Sequence, residues 1–275
     1  MTSQVWYDDP RRLTFLLARY KFVAKMLSGC GNVGEVGCGD AFGTRIVRQE
    51  IPDVTVYDFD PVFIEDIRER QDERWALKAQ VHDIVAQPLP RQHEALFCLD
   101  VLEHIARDNE HVFLTNLCAS LSPGGLLMVG TPSIESQPYA SPPSKAGHVN
   151  CKSGKELKVL MQRYFRHVFM FSMNDEVVHT GFFPMAHYLF ALCAEPKWEP
   201  SGGTWWNEGD IKSEIPDKSP AFEICEQASG AFYVQITEPD NEPRRVGNFT
   251  TAADAAQWIR ERTLEWIQVG RPTSR

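Results

Sequence analysis

The sequence predicts an α/β fold, a sheet carrying helices on its faces, from the amino terminus to about Glu195. Three observations predict it. Short apolar runs alternate there with helical patterns. A glycine-rich segment, Gly34 to Gly43, sits where one such run gives way to a helix. The periodicity then stops between Glu195 and Pro220, where Pro196, Pro200, Pro216 and Pro220 fall together with Gly202, Gly203 and Gly209.

Taken in order, a first helix is expected over Pro10–Leu27, with Leu13, Leu16, Leu17, Tyr20, Ala24 and Leu27 on one face. A strand at Asn32–Val36 leads through the glycines into a helix at Thr44–Glu50. Val54–Phe59 and Pro61–Arg70 repeat strand and helix, and Leu77–Val81 and Ala95–Leu99 read as further strands. Asp108 is expected to cap a helix that turns Phe113, Leu114, Leu117, Cys118 and Leu121 inward, with Ser122-Pro123-Gly124-Gly125 ending it. Leu126–Gly130 is a buried strand, Ser153–Tyr164 a helix, Val168–Met173 a strand and Tyr188–Ala194 its antiparallel partner.

The domain division that follows is 1–195 for the main domain, 196–220 for a linker and 221–275 for a small ββα module. In the module, Ala221–Gln227 and Ala231–Thr237 are the strands. Its helix begins near Thr251, with Asp254 as the reciprocal partner of a capping box and Ala255, Trp258, Ile259, Trp266 and Ile267 facing inward. Trp198, Trp205 and Trp206 are expected to pack back from the linker onto the main domain. The module is too small to fold readily alone and is expected to lean on that domain.

Composition narrows the function classes. Lysine and arginine number 28 against 37 acidic residues, a net charge of −9, which opposes a duplex nucleic-acid partner because such binding needs many basic phosphate contacts. Seven scattered cysteines without a Cys-x-x-Cys pair suit free thiols in a reducing compartment. The start lacks a secretory pattern, and the most apolar stretch, Phe182–Ala194, is too short to span a bilayer. A cytoplasmic protein with no membrane association and a small-molecule partner is the expectation. Oligomeric state is left open, a homodimer included.

The chemistry concentrates in five segments. Glu35-Val36-Gly37-Cys38-Gly39-Asp40-Ala41 lies between a strand and a helix, where glycines let the backbone turn tightly and approach a ligand. Phe42 stands where a dinucleotide fingerprint needs glycine. Asp58-Phe59-Asp60-Pro61 ends the next strand with a carboxylate, a place from which an acceptor can bind both ribose hydroxyls. His82-Asp83-Ile84 follows the third strand. Phe97-Cys98-Leu99-Asp100-Val101-Leu102-Glu103-His104-Ile105 and Leu121-Ser122-Pro123-Gly124-Gly125 complete the set.

In this order, over residues 30–132, these segments resemble the motifs of class I S-adenosylmethionine-dependent methyltransferases, with Ala41 in place of the pattern's third glycine. The resemblance implies a doubly wound, Rossmann-like, mostly parallel sheet of seven strands, the last antiparallel, with cofactor at the carboxyl ends of the strands. It implies S-adenosylmethionine as cofactor and S-adenosylhomocysteine as product. The contacts would come from Glu35, Gly37, Cys38, Gly39, Asp58, Phe59, Asp83, Ile84 and Leu99.

Near the start of a helical turn, Asp100, Glu103 and His104 are spaced to converge, and His148 lies in the later polar loop Ser133–Lys152. A carboxylate-x-x-Glu-His followed by a later His resembles metal-dependent O-methyltransferases, among them those acting on the 3′-terminal ribose of small RNAs; Asp100 stands where those have Glu. Asp100, Glu103, His104 and His148 are therefore the candidate ligands of a divalent metal, which would lower the pKa of a bound hydroxyl. His104 and His148 are also candidates for proton removal, as is His179 in the polar segment Ser172–Gly181 if no metal takes part.

The leading expectation is methyl transfer from S-adenosylmethionine to a hydroxyl of a polar small molecule such as a sugar or nucleotide sugar. Metal-dependent ribose 2′-O-methylation at an RNA end is the second reading, opposed by the acidic charge. N-methylation of a metabolite amine is the third. A catalytically silent S-adenosylmethionine-binding adaptor is the non-enzymatic alternative, opposed by the intact set Glu35, Gly37, Gly39, Asp58 and Asp83.

Overall fold

A computed structural model of the chain describes residues 2–197, 221–227, 230–237 and 243–259. The chain divides into two compact units near residue 203. In the first unit a short turn leads into helices α1 (Val5–Asp8) and α2 (Pro10–Met26). Pro10 opens α2, where its fixed φ suits a helix start. Leu13, Val23, Ala24 and Leu27 bury its inner face. Then follow β1 (Asn32–Val36), α3 (Thr44–Glu50), β2 (Asp53–Asp58), α4 (Pro61–Glu69), β3 (Lys78–Val81) and β4 (His93–Leu99). Helix α5 (Arg107–Ala119), strand β5 (Leu121–Pro132), α6 (Pro142–Gly147) and α7 (Gly154–Tyr164) lead to β6 (Phe165–Asn174), β7 (Val177–His179) and β8 (Tyr188–Pro196).

Eight strands form one sheet in the order β3-β2-β1-β4-β5-β8-β6-β7. From β3 to β5 neighbours pair in parallel. Strand β8 runs antiparallel to both β5 and β6, so β6 points the same way as β1 to β5. The inner strands read as near-continuous apolar runs because helices cover both faces. Val33, Val54, Val56, Ala95, Phe97 and Met128 form the centre of that core with Tyr188 and Phe190 of β8. Each large side chain buried there contributes about 1.5–3 kcal/mol.

Three expectations change in this unit. The sheet has an eighth strand, β7, because a turn at Asp175 (φ +50°) and Glu176 folds the polar segment back onto β6. Asp108 does not cap α5: the helix starts at Arg107, Ala106 holds the cap position, and Asp108 sits in the first turn, where its charge favours the helix dipole. Leu121 opens β5 instead of closing the helix, and Ser122–Gly125 form an irregularity between the pairs His93–Leu121 and Ala95–Leu126. Helix α7 carries a full capping box, Ser153 with Glu156.

The second unit is a three-stranded antiparallel sheet, β9 (Ala221–Glu226), β10 (Phe232–Thr237) and β11 (Arg244–Phe249), in the order β11-β10-β9. A ββα module was the expectation; β11 is additional, its strand pattern masked in sequence by Arg244, Arg245 and Gly247. Residues 252–259 are helical. The Thr251 hydroxyl accepts from the Asp254 N–H (3.2 Å) and donates to the Asp254 carboxylate (2.8 Å), so the reciprocal bond runs between side chains. Val234, Ile236 and Ala255 are buried, with Trp258 against Phe249. Trp198, Trp205, Trp206, Trp266 and Ile267 lie outside the described residues. None of the seven cysteines forms a disulfide. Among the described residues, no helix is long and apolar enough to cross a membrane.

Candidate active site

The carboxyl ends of β1, β2 and β3 carry the first half of the site. After β1 the chain turns at Gly37 (φ +73°), where a Cβ would stand 2.4 Å from Val101 Cγ2. The Gly37 and Cys38 N–H groups both donate to the Tyr57 carbonyl (2.8 and 3.2 Å), tying this turn to β2. Gly39 (φ +51°) has open space where a Cβ would stand, and its N–H donates to Asp58 Oδ2 (2.9 Å). The Asp60 N–H donates to Asp58 Oδ1 (2.9 Å). Two backbone amides thus fix a carboxylate that is only 5% exposed, and each oxygen keeps a lone pair for a ligand.

Phe59, next along, is 74% exposed: a large bare ring beside a fixed acceptor. Asp83 is exposed at the end of β3, with Oδ1 held by the Val85 N–H (2.9 Å). Ile84, Leu99 and Cys38 are buried. A nucleoside with a ribose diol and a flat base fits this set, with room over Gly39, an acceptor at Asp58, a ring at Phe59 and a further carboxylate at Asp83.

Glu35 behaves differently. Its Oε1 accepts from the Tyr20 hydroxyl (3.0 Å) and its Oε2 from the Thr44 hydroxyl. Burial raises its carboxyl from 4.5 to about 8. Each oxygen accepts from a protein hydroxyl, so Glu35 joins α2 and α3 to β1.

The second half begins after β4. Glu103, His104 and His148 bring one ligand atom each to within 4.8 Å of one another. Glu103 is fully buried; Oε2 accepts from the Thr131 hydroxyl (3.0 Å), and Oε1 is buried without a hydrogen-bond partner among the described residues. Burial, and next the charge of Asp100, raise its carboxyl to about 8. His104 Nδ1 donates to the Gly147 carbonyl (2.9 Å) and His148 Nδ1 to Gln137 Oε1 (2.8 Å). The sense of the Gln137 amide follows from its Nε2, which donates to the Ser133 carbonyl (3.2 Å). Each ring is therefore anchored through Nδ1–H and keeps a bare Nε2. Burial, then His104, lower the His148 pKa and keep that ring neutral.

A buried orphan carboxylate oxygen beside two imidazoles whose outer nitrogens are tied to acceptors is a donor set that fits a divalent cation. The set has three members, and the expected fourth is corrected. Asp100 (φ +56°) lies outside it: Arg19 Nη1 donates to both Asp100 oxygens (3.1 and 2.8 Å). The physical reason is the cation. Arg19 enters from α2 with its guanidinium 3.8 Å from the Tyr188 ring centroid, and a partly buried charge there requires a counter-charge.

Sequence reasoning missed Arg19. The signal was its spacing: Leu16, Arg19, Tyr20 and Val23 follow the i, i+3, i+4, i+7 rule and put a cation on the buried face.

His179 is also set apart. It lies on β7, four strand positions from β4, which at about 4.8 Å per strand is roughly 19 Å across the sheet. Both its nitrogens are used locally, Nε2 on Asn174 Oδ1 (2.8 Å) and Nδ1 by the Gly181 N–H (2.9 Å). It holds the hairpin together and does not join the other two histidines.

Residues 35–127 match a family described as a methyltransferase domain. Over this segment the chain is similar to methyltransferase domains, and its fold is that of the class I S-adenosylmethionine-dependent methyltransferases. No curated protein matches the chain. Among solved structures, the N-methyltransferase NodS from Bradyrhizobium japonicum WM9, in complex with S-adenosyl-l-homocysteine, is 18% identical. It aligns over 65% of this chain and 87% of its own, with a TM-score of 0.51. The methyltransferase domain of bacterial CtHen1-C is 15% identical over 66% of this chain and 98% of its own, TM-score 0.56. A putative methyltransferase in complex with the Haloferax volcanii Trm112 activator is 15% identical over 70% and 97%, TM-score 0.53. At these identities the methyltransferase fold is what is shared.

Proposed function

We propose that this methyltransferase acts on a hydroxyl of a polar small molecule, a sugar or nucleotide sugar being the class that fits best. The observation that carries the reading is the Glu103, His104 and His148 group at the carboxyl end of β4, with Glu103 Oε1 buried and unpartnered among the described residues. An alcohol is hardly ionised at neutral pH, so its methylation needs a base or a cation at the nucleophile. A neutral amine is already nucleophilic and needs no cation or strong base, which is why this group favours oxygen over nitrogen.

In this reading Asp58 accepts from the ribose hydroxyls, Phe59 lies along the adenine and Asp83 accepts from the adenine amino group. Gly37 and Gly39 let the backbone approach between them. S-adenosylmethionine supplies the methyl on a sulfonium, whose charge disperses in the transition state, so much of the protein's task is positioning and desolvation. Glu103, His104 and His148 would hold a divalent cation, which when bound lowers the pKa of an acceptor hydroxyl as it does that of water. Gln137 and the Gly147 carbonyl orient the two imidazoles. His148, neutral and with Nε2 bare, can also take a proton directly. Loop residues Ile134, Tyr139 and Val149 are exposed on the same 133–152 segment and would cover a flat or apolar part of the acceptor.

Methylation of a ribose hydroxyl at an RNA end uses the same chemistry, and the same three-residue group supports it; the net charge of −9 favours the small acceptor. The test is mass spectrometry of a metabolite pool incubated with methyl-labelled cofactor, with and without chelator. A labelled hydroxyl product that vanishes on chelation and returns with Mg²⁺, Mn²⁺ or Zn²⁺ supports the reading. Labelling confined to amines, and indifferent to chelation, overturns it.

A further inference from the structure

A histidine that holds a metal or takes a proton must be placed to within about 0.5 Å. His148 nevertheless arrives on a loop, 133–152, whose Tyr139 and Val149 are exposed. The returning end of that loop is held by three side chains outside the Glu103, His104 and His148 group: Glu110 of α5, Asn150 and Lys152. Lys152 Nζ lies 2.6 Å from Glu110 Oε2 and donates to Asn150 Oδ1 (2.5 Å), and Asn150 Nδ2 donates to the same Glu110 oxygen (2.7 Å). Each member of this ring therefore touches the other two. Asn150 is 1% exposed and Lys152 8%, and the Lys152–Glu110 pair is the most enclosed ion pair among the described residues.

Main-chain bonds tie this ring to the site. The Asn150 N–H donates to the Glu103 carbonyl (3.0 Å) while its side chain reaches Glu110, so one residue grips the turn after β4 by its backbone and α5 by its amide. The Lys152 carbonyl accepts from the Ile134 N–H (2.9 Å), which closes the loop at its base. Ser133, beside that closure, donates through its hydroxyl to the Ala186 carbonyl (2.6 Å) on the approach to β8. The base of the loop is thus fixed on two sides, and His148 stands two residues before Asn150 with its ring centroid 5.1 Å from that of His104.

We propose that Glu110, Asn150 and Lys152 are positioning residues for His148, setting where the loop returns and so how the imidazole faces Glu103 and His104. The inference rests on the reading of Glu103, His104 and His148 as the catalytic group. A charged cluster is a poor device for stability alone. Enclosed charges lose hydration that their attraction does little more than repay, and apolar side chains of similar volume would hold the loop to α5 as firmly. What apolar contacts lack is direction. Each hydrogen bond in the ring specifies a distance and an angle, so the returning strand of the loop cannot slide along α5 without breaking one. The three side chains act through the backbone of residues 149–152 and take no proton themselves.

Calorimetric titration of Mn²⁺ into the metal-free full chain tests this, read beside S-adenosylhomocysteine binding and the urea midpoint. Lys152→Met, which leaves the Glu110 carboxylate unpaired, should weaken Mn²⁺ about tenfold or more and lower the midpoint, with S-adenosylhomocysteine kept within about twofold. Glu110→Gln keeps one oxygen that can accept from both partners, so Mn²⁺ affinity should stay within about threefold of the wild type. The decisive variant replaces the whole ring, Glu110→Leu with Asn150→Leu and Lys152→Met, and serves also where Lys152→Met fails to fold. It should recover the urea midpoint, since no buried charge is left unpaired, and still bind Mn²⁺ about tenfold or more weakly. Recovery of both marks the ring as a structural brace and overturns the inference, as does Lys152→Met with wild-type Mn²⁺ affinity. A wild type that takes up no Mn²⁺ overturns the metal reading instead, and the inference is then read from NMR cross-peaks between the ring protons of His104 and His148. Their loss in the triple variant upholds the placement; their persistence overturns it.

Discussion

Along the β1–β3 edge of the site, polar groups are fixed by backbone amides of the strand-end turns: Asp58 by Asp60 two residues on and by Gly39 of the neighbouring turn, Asp83 by Val85. Along the β4–β8 edge they are fixed by partners far along the chain. Glu103 meets Thr131 28 residues on, His104 the carbonyl of Gly147 43 on, and Asp100 is held by Arg19 from 81 residues before it. An amide-held acceptor exists as soon as its turn forms and costs little to keep in place. A group assembled from distant loops exists only when those loops have closed, so it can vary in chemistry while the cofactor edge stays constant. In the proposed reading the first edge binds the cofactor and the second decides what is methylated.

The comparison breaks most visibly at His148. His148→Ala should lower turnover by roughly 100-fold or more while the cofactor dissociation constant stays within about twofold; a loss of cofactor binding in a folded variant would mean that the edges are not separate. Gln137→Leu removes the anchor of that ring, together with the bond to the Ser133 carbonyl, and should cost about 10–100-fold in metal affinity, read by titration of the metal into the apo protein. On the other edge, Asp58→Ala should weaken cofactor binding by about 1–3 kcal/mol without unfolding the chain. An unchanged constant would move the ribose contact elsewhere.

Glu35 gives a smaller, pH-dependent effect. Its carboxyl is raised by burial from 4.5 to about 8, so between those values it is protonated in the fold and ionised in the unfolded chain. Its contribution is fully present below pH 4.5 and is lost as pH rises to about 8. Glu35→Gln should flatten that slope, as urea unfolding at about pH 5 and about pH 8 would register; an unaltered slope would assign it to other groups. The smallest effect is at His179: replacement by Ala should leave kcat/KM within about twofold, because its bonds serve the β6–β7 hairpin. A larger loss of kcat/KM without loss of stability would return it to the catalytic set.

The same contrast explains what the sequence disclosed. The glycine turn, Asp58, Asp83 and the alternation of strands and helices were legible because they are local: a turn needs its glycine, and a strand end needs its carboxylate at a fixed offset. The triplet Glu103, His104 and His148 was half legible, since Glu103 and His104 are adjacent but nothing local says that residue 148 returns to them. Arg19 was out of reach as a partner of Asp100, although its place on a buried helix face marked it as a cation needing one. The strand β7 was hidden in a polar run because an edge strand pairs on one side only and has little apolar pattern to show. Likewise β11, short and basic, follows sheet pairing and not hydrophobicity.

One backbone atom links loop and chemistry. The Glu103 carbonyl accepts from the N–H groups of both Val149 and Asn150 (2.8 and 3.0 Å), so the residue whose carboxylate lies by the two histidines also clasps the segment that delivers His148. Opening the loop and dismantling the triplet are consequently one event. The amide protons of Val149 and Asn150 become a built-in clock for it: their exchange with solvent deuterium times how often the second edge comes apart, in the resting protein and with no substrate in hand.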